Sequence, residues 1–261
     1  MNVGIVANSD RDLGLVFAKE IAMWLRERGC CPFLEPEDSV EEVYKGQFLI
    51  VLGGDGTMLR AASKAAIYST PMLGINLGSL GYLTDVERHE GLSAIEKVLA
   101  GNFRQEQRMM LEARDMLALN EVIVHRDRAA GSLSFRICVN GKHMDTFRAD
   151  GVIISTPTGS TAYNLSAGGP ILRPDSEMIV ITAICPHTLY ARPWVLSGND
   201  EVSICPVGSQ DRCALASLDG EIKFSLKCGE TINIGRSKYR ATVIKTTGMD
   251  FFEVLRKKMA K

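Results

Sequence analysis

The stretch Phe48-Leu49-Ile50-Val51-Leu52-Gly53-Gly54-Asp55-Gly56-Thr57 constrains this chain more than any other. An unbroken apolar run ends in glycines grouped around one aspartate, and residues 58–67 then suit a helix. That order predicts a buried strand, a sharp turn and a helix N-terminus, the repeating unit of a parallel α/β sheet. The turn offers bare backbone N–H groups and the positive end of a helix dipole to whatever sits above it. Its glycines permit positive φ and close approach of backbone to a ligand. Asp55 is odd in a pure anion cradle, and two readings stay open. It is a capping residue of a tight βα turn, or it is a metal ligand or a base for a hydroxyl group.

With 261 residues the chain suits one large domain or two modest ones. Apolar residues make up 46% and charged residues 23%, the balance of an ordinary globular protein. A net charge of −1 without a basic run gives no field for nucleic acid or an anionic membrane. No apolar stretch approaches the roughly 20 residues of a membrane span. Met1 leads straight into a strand-like run, so no secretory leader is expected. The seven cysteines include no C-x-x-C pair, and Cys138, Cys185 and Cys205 lie in apolar runs, which predicts reduced core thiols and a cytoplasmic protein.

Strand and helix patterns alternate through the first hundred residues. Residues 2–7 and 31–34 read as strands, and Leu13, Val16, Phe17, Ile21, Trp24 and Leu25 recur at helical spacing. Gly29 is placed to stop that helix, and Ser39 with Glu42 forms a capping-box pattern. Residues 71–76 add a further strand, and Leu77-Gly78-Ser79-Leu80-Gly81-Tyr82 lies at its carboxyl end, as 53–57 lies at the end of its own strand. Ligands of parallel sheets bind beyond those ends. After a short helix at 94–99 the texture becomes β-rich. Asn140-Gly141 and Asp219-Gly220-Glu221 each sit between strand-like runs as hairpin turns, and 117–124, 178–185, 201–207, 231–234 and 240–246 add strands. The expected fold is an α/β N-terminal domain (1–100) plus an all-β sandwich C-terminal domain (101–245), with a C-terminal helix (246–261) packing back on the first domain.

Chemistry-bearing residues gather in few places. Between Asp150 and Pro170 a strand breaks into Ser155-Thr156-Pro157-Thr158-Gly159-Ser160-Thr161-Ala162-Tyr163. Such a density of hydroxyls and amides suits a ligand with several polar edges, such as a nucleotide, on which Tyr163 would stack; a self-capping surface loop is the plain alternative. Asn120-Glu121 interrupts an apolar strand, so one of the two faces inward or toward a ligand. Arg148 and Asp150 alternate on a strand and share a face, as an ion pair or as ligand contacts. Arg60 follows the glycine turn within reach of a bound phosphate. His187 ends a strand alone, so no zinc cluster is expected, and neither a Walker P-loop nor a G-x-S-x-G elbow occurs.

In this order, Gly53-Gly54-Asp55-Gly56-Thr57, Asn120-Glu121, Thr156–Tyr163, Leu165-Ser166-Ala167-Gly168-Gly169-Pro170 and Pro186-His187-Thr188-Leu189 with Arg192-Pro193 resemble the bacterial NAD kinase family nearly end to end. The resemblance implies transfer of the ATP γ-phosphoryl group to the adenosine-ribose 2′-hydroxyl of NAD, giving NADP. Asp55 matches the family's proton acceptor. Asp55, Gly56, Asn120, Glu121, Arg148, Asp150, Thr161, Ala162, Tyr163, Asn164, Leu165 and Ser166 match its dinucleotide-contacting positions. Gly53, Gly54, Thr57 and Arg60 are left for the phosphates of ATP. The resemblance further implies a divalent cation, expected as magnesium, and a homo-oligomer, with a tetramer as the expected form. Leu83 and Glu221 depart from the pattern, where relatives carry a second aromatic and a glutamine. A lipid or sugar-phosphate kinase of the same broad superfamily, and a non-catalytic nucleotide-binding regulator, are the rival readings.

Overall fold

The computed structural model describes every residue except 79–80, 85, 128–132, 189–190, 210–212 and 260–261. Contacts divide the chain into two compact units, Met1–Arg108 with Tyr239–Lys261, and Met109–Lys238. The sequence reading drew its lines at 100, just after a helix, and at 245, the end of a strand; the two divisions by contacts fall instead inside strands, at 108/109 and 238/239.

In the first unit, β1 (Asn2–Ala7), β2 (Cys31–Leu34), β3 (Phe48–Gly53), β4 (Met72–Asn76) and β5 (Val86–Glu87) form a parallel sheet ordered β5-β4-β3-β1-β2. Both faces are covered, which explains strands that are apolar throughout. Helices α1 (Val16–Glu27) and α4 (Gly91–Leu99) bury Phe17, Ile21, Leu25, Ile95 and Val98 with Val3, Ile5, Ile50 and Ile75. Helices α2 (Val40–Tyr44) and α3 (Asp55–Ile67) belong to the same unit, and the small side chains of Ala61, Ala62, Ala65 and Ala66 let α3 lie close to β3 and β4.

Local signals explain the helix ends. Ser39 and Glu42 make both bonds of the capping box. Gly29, at φ 74°, ends α1 with its N–H on Arg26 O and the N–H of Cys30 on Leu25 O, a Schellman closure. The start of α1 differs from the expectation: Leu13 and Val16 are exposed rather than part of the apolar face. Gly14 and Leu15 take left-handed conformations, and the buried Asp12 carboxylate caps α1 from a distance through the N–H groups of Phe17 and Ala18, both at 2.9 Å. Helix α3 starts three residues earlier than the apolar pattern alone implies, because extended Gly54 serves as its N-cap.

Strand β6 (Arg104–Ala113), absent from the sequence reading, leads into the second unit. There β7 (Met116–Ala118), β8 (Glu121–Arg126), β9 (Leu133–Val139), β10 (Lys142–Ala149), β11 (Gly151–Ser155), β12 (Met178–Ile184), β13 (Trp194–Ser197), β14 (Val202–Val207), β15 (Cys213–Leu218) and β16 (Glu221–Lys227) follow. One antiparallel sheet runs β13-β12-β11-β8-β15-β16. Facing it, β10, β9 and β14 pair antiparallel with one another and with β17 (Ile232–Lys245). A single core joins the two sheets through Val122, Val124, Val152, Ile154 and Ile181 on one side and Phe135, Ile137, Ile204 and Ile234 on the other, so the unit is a sandwich. Both hairpin turns form at Asn140-Gly141 and Asp219-Gly220 with positive φ at both residues. Residues 231–234 and 240–246 join in the single strand β17, since polar Gly235–Lys238 stays extended instead of turning.

Helix α5 (Phe251–Met259) lies in the first unit, where the Lys258 ammonium sits 5.3 Å above the Tyr82 ring. All seven cysteines are free. Cys138 and Cys205 are only partly buried and Cys185 is exposed, against the expectation of core thiols, because each lies where the apolar pattern reaches a strand's outer face or its end. Among the described residues no helix is long and apolar enough to cross a membrane.

Candidate active site

In the first unit the glycine turn follows from the strand it ends. Gly54 caps α3, so Asp55 and Gly56 are its first helical residues and their amides have no intrahelical acceptor. Thr57 is buried, and its hydroxyl accepts from Asn8 Nδ2 at 3.4 Å. A methyl group at Gly53 would overlap the Thr57 side chain, so glycine is required there for packing. Gly56 is open to solvent.

Both carboxylate oxygens of Asp55 are held by backbone. Oδ2 accepts from the N–H of Tyr82 at 2.8 Å and Oδ1 from that of Leu83 at 2.9 Å. A side chain at Gly81 would overlap Oδ1, so this loop approaches Asp55 only because residue 81 is glycine. The carboxylate is thereby aimed, and each oxygen keeps a lone pair for a hydroxyl. Partial burial and the Asp55 charge both raise the Tyr82 phenol above its ordinary pKa. Leu83 is buried, so its side chain faces the unit's interior and its amide serves Asp55. Residues 79–80 of the same stretch lie outside the described residues.

The cation beside this turn is one that the sequence reading passed over. Arg11, in the loop after β1, has Nη1 3.5 Å from where a side chain at Gly54 would begin, and a side chain at Gly78 would overlap the guanidinium. Arg60 is exposed in the second turn of α3, and its charge is felt by the Tyr44 hydroxyl.

The candidate residues of the second unit centre on a chain break. Leu119 and Asn120 separate β7 from β8, so the expected continuous strand is interrupted and Asn120 and Glu121 are not neighbours on one ladder. Asp219, in the β15–β16 turn, closes the break: its carboxylate accepts from the N–H groups of Leu119 (2.8 Å), Asn120 (2.7 Å) and Glu121 (3.2 Å). The Asp219 N–H returns a bond to Glu121 O at 3.1 Å. Glu121 is only 5% exposed, and its Oε2 is enclosed without a hydrogen-bond partner. Burial, and then the charge of Asp219, push its carboxyl up to about 8. Thr158 Oγ1 is a second enclosed oxygen without a partner.

The loop after β11 is more self-satisfied than its composition implies. Thr156 Oγ1 donates to Leu119 O at 2.6 Å and accepts from Gly159 N–H. Ser160 Oγ donates to Pro157 O at 2.7 Å and accepts from Leu172 N–H. Asn164 is fully buried: its amide donates to Ser160 O and Pro170 O, and its oxygen accepts from Thr182 at 2.7 Å. These hydroxyls and this amide hold the loop instead of facing a ligand. A side chain at Gly159 would overlap the Asn120 backbone, so the loop packs directly on the chain break. What remains outward is Thr161, Ala162 and Leu165, partly exposed, and Tyr163 and Ser166, exposed. Asp150 pairs with Arg126 Nε at 2.7 Å. Arg148 belongs to β10, which ends at Ala149, so Arg148 and Asp150 do not share a strand. The carbonyl of Arg148 accepts from His187 N–H at 2.8 Å, and Leu189 of that motif is outside the described residues. Among the described residues no three His, Cys, Asp or Glu side chains gather as a metal site.

Two family models match the chain: the ATP-NAD kinase N-terminal domain over residues 36–103 and the ATP-NAD kinase C-terminal domain over 119–246. An NAD kinase of Caldanaerobacter subterraneus subsp. tengcongensis is 37% identical, with 99% of each chain covered. An NAD kinase of Geobacter metallireducens is 40% identical over 93% of this chain and 92% of its own. An NAD kinase from Archaeoglobus fulgidus, solved in complex with ATP, superposes with a TM-score of 0.84 at 27% identity, covering 100% of this chain and 99% of that one. A yeast NADH kinase complexed with NADH shares the fold, at a TM-score of 0.84, 23% identity, and 100% and 87% coverage.

Proposed function

The chain belongs to the ATP-NAD kinase family, and we infer that it transfers the γ-phosphoryl group of ATP to the adenosine-ribose 2′-hydroxyl of NAD, giving NADP and ADP. It is a phosphotransferase with NAD and ATP as substrates. The observation that carries a mechanism is the Asp55 carboxylate, held by two loop amides at the N-terminus of α3. Phosphoryl transfer asks a protein mainly for positioning and for neutralisation of spread charge. The amides of Asp55 and Gly56 and the guanidinium of Arg11 supply donors and positive charge for the ATP phosphates, with Gly53, Gly54 and Thr57 shaping the turn. Asp55 orients the acceptor hydroxyl and takes its proton late, when bond formation to phosphorus has made that hydroxyl acidic.

Asn120, Glu121, Asp150, Arg148 and Thr161–Ser166 are assigned to NAD, with Tyr163 as the exposed aromatic surface for a base. Asn164 and the buried hydroxyls serve that assignment by holding the loop. A divalent cation, magnesium, would neutralise triphosphate charge when bound. Asp55, at the N-terminus of α3, is the carboxylate available to meet such a cation as it arrives on the nucleotide. Free cysteines, with Cys31 and Cys185 exposed, support a reducing, cytoplasmic setting. Homo-oligomerisation, with a tetramer as the expected form, rests on the family resemblance.

Incubation with ATP, magnesium and NAD, followed by detection with an NADP-specific dehydrogenase, tests the reaction. Asp55→Asn is expected to keep the fold and NAD binding and to lose most turnover. Unimpaired turnover in that variant removes the base assignment. Nucleotide binding without NADP formation by the unaltered chain favours a non-catalytic regulator.

A further inference from the structure

One group in the second unit is arranged more elaborately than a turn requires. Asp219 sits at the first position of a two-residue hairpin turn, with φ 49°, followed by Gly220 at 84°. A turn of that kind needs only the backbone. Yet the Asp219 carboxylate reaches back to residues about a hundred positions earlier and accepts three consecutive N–H groups at Leu119, Asn120 and Glu121. Those are the residues of the β7–β8 break, and two of them are assigned to the dinucleotide.

Next to it is a second carboxyl, and this one is buried. Glu121 has one oxygen enclosed with no donor, whereas Asp219 has three donors on its two oxygens. Two adjoining carboxyls, one buried and one partly buried, cannot both ionise cheaply, and donors stabilise the anion they point at. The negative charge therefore resides on Asp219 and the proton on Glu121. Other charges are few. Burial raises the Asp219 carboxyl, the three backbone N–H groups pull it back down, and Glu221, at the start of β16, adds a smaller upward push, while β7, β11 and residues 156–159 carry no ionisable side chain.

We propose that Asp219 is a positioning residue for NAD: it holds the break that aims Asn120 and Glu121, and its charge keeps Glu121 a neutral acid that donates a hydrogen bond to a ribose hydroxyl. This rests on the assignment of Asn120-Glu121 to the dinucleotide. The protonated carboxyl gives Glu121 a donor which its ionised form lacks. It also avoids adding another anion close to a ligand that already carries phosphate charge. Burial and the neighbouring charge set the point at which this donor is lost, near pH 8.

The test is NAD affinity, measured by calorimetry without ATP across a pH series bracketing 8, for the unaltered chain, Asp219→Asn and Glu121→Gln. The unaltered chain should bind NAD steadily below pH 8 and more weakly above it. Asparagine keeps one acceptor but loses the charge, so Asp219→Asn should bind on the order of ten-fold more weakly. Its alkaline fall should also move to lower pH, because the anion that raises Glu121 is gone. Glu121→Gln should show no alkaline fall at any affinity. An identical fall in the unaltered chain and in Asp219→Asn overturns the proposal, as does a fall that persists in Glu121→Gln. Should Asp219→Asn fail to fold, Glu121→Gln decides alone. Loss of NADP formation by the unaltered chain would instead count against the family reaction, so the two failures are told apart.

Discussion

Replacing Glu121 by glutamine should change the stability of the second unit by an amount that depends on pH in a calculable way. An unfolded glutamate titrates near 4.5, whereas the folded Glu121 carboxyl is pushed up to about 8. Between those values the folded chain holds a proton that the unfolded chain has released. Unfolding then liberates a proton, and stability falls as pH rises, by about 1.4 kcal/mol per unit for a full proton. Relative to pH 4.5, the folded state is weakened by about 3 kcal/mol at pH 7 and by about 4 kcal/mol at pH 8 and above. Glutamine has nearly the same shape and no titration, so it lacks this slope. Its absolute offset is not diagnostic, because the buried amide also needs partners; the slope of the difference is. Urea unfolding without nucleotide at pH values near 5 and near 8 measures it, followed by fluorescence in a Trp24→Phe background that leaves Trp194, in the second unit, as the sole tryptophan. The gap between Glu121→Gln and its parent should widen by a few kcal/mol toward pH 8. Parallel stabilities at the two pH values would refute the buried, protonated carboxyl.

Two further outcomes follow from contacts already described. Gly81→Ala would force the 81–83 loop away from Asp55 and break the two N–H bonds that aim its carboxylate; turnover in the coupled NADP assay should fall at least ten-fold while NAD affinity by calorimetry changes little. Asn164→Ala would leave Ser160 O, Pro170 O and the Thr182 hydroxyl without their partner in a fully buried position, so the second unit should lose about 3 kcal/mol in urea unfolding, with weaker NAD binding as a consequence of the loosened loop.

What the sequence made legible is what neighbouring residues decide among themselves. The apolar run before Gly53 could only be a buried strand, Asn140-Gly141 and Asp219-Gly220 could only be tight turns, and Ser39 with Glu42 closed the cap that their spacing promised. Two of the misses share one cause, that a side chain's partner lay far along the chain. Asp219 was read as turn chemistry because nothing near it in sequence shows that its carboxylate faces Leu119–Glu121. Arg11 carries no motif of its own, although a signal for it existed. In a parallel sheet the loops after successive strands gather at one edge, and β1 lies beside β3, so the loop after β1 had to approach the glycine turn. The hydroxyl-rich loop misled in the opposite direction. Composition counts hydroxyls without regard to where they point, and in this loop Thr156, Ser160 and Asn164 are consumed by backbone groups of the loop and its neighbours. Their buried bonds are the reason the outward residues, Thr161, Ala162 and Tyr163, hold a defined surface at all, since a loop that spent its polar groups on a ligand would have to be ordered again at each binding event.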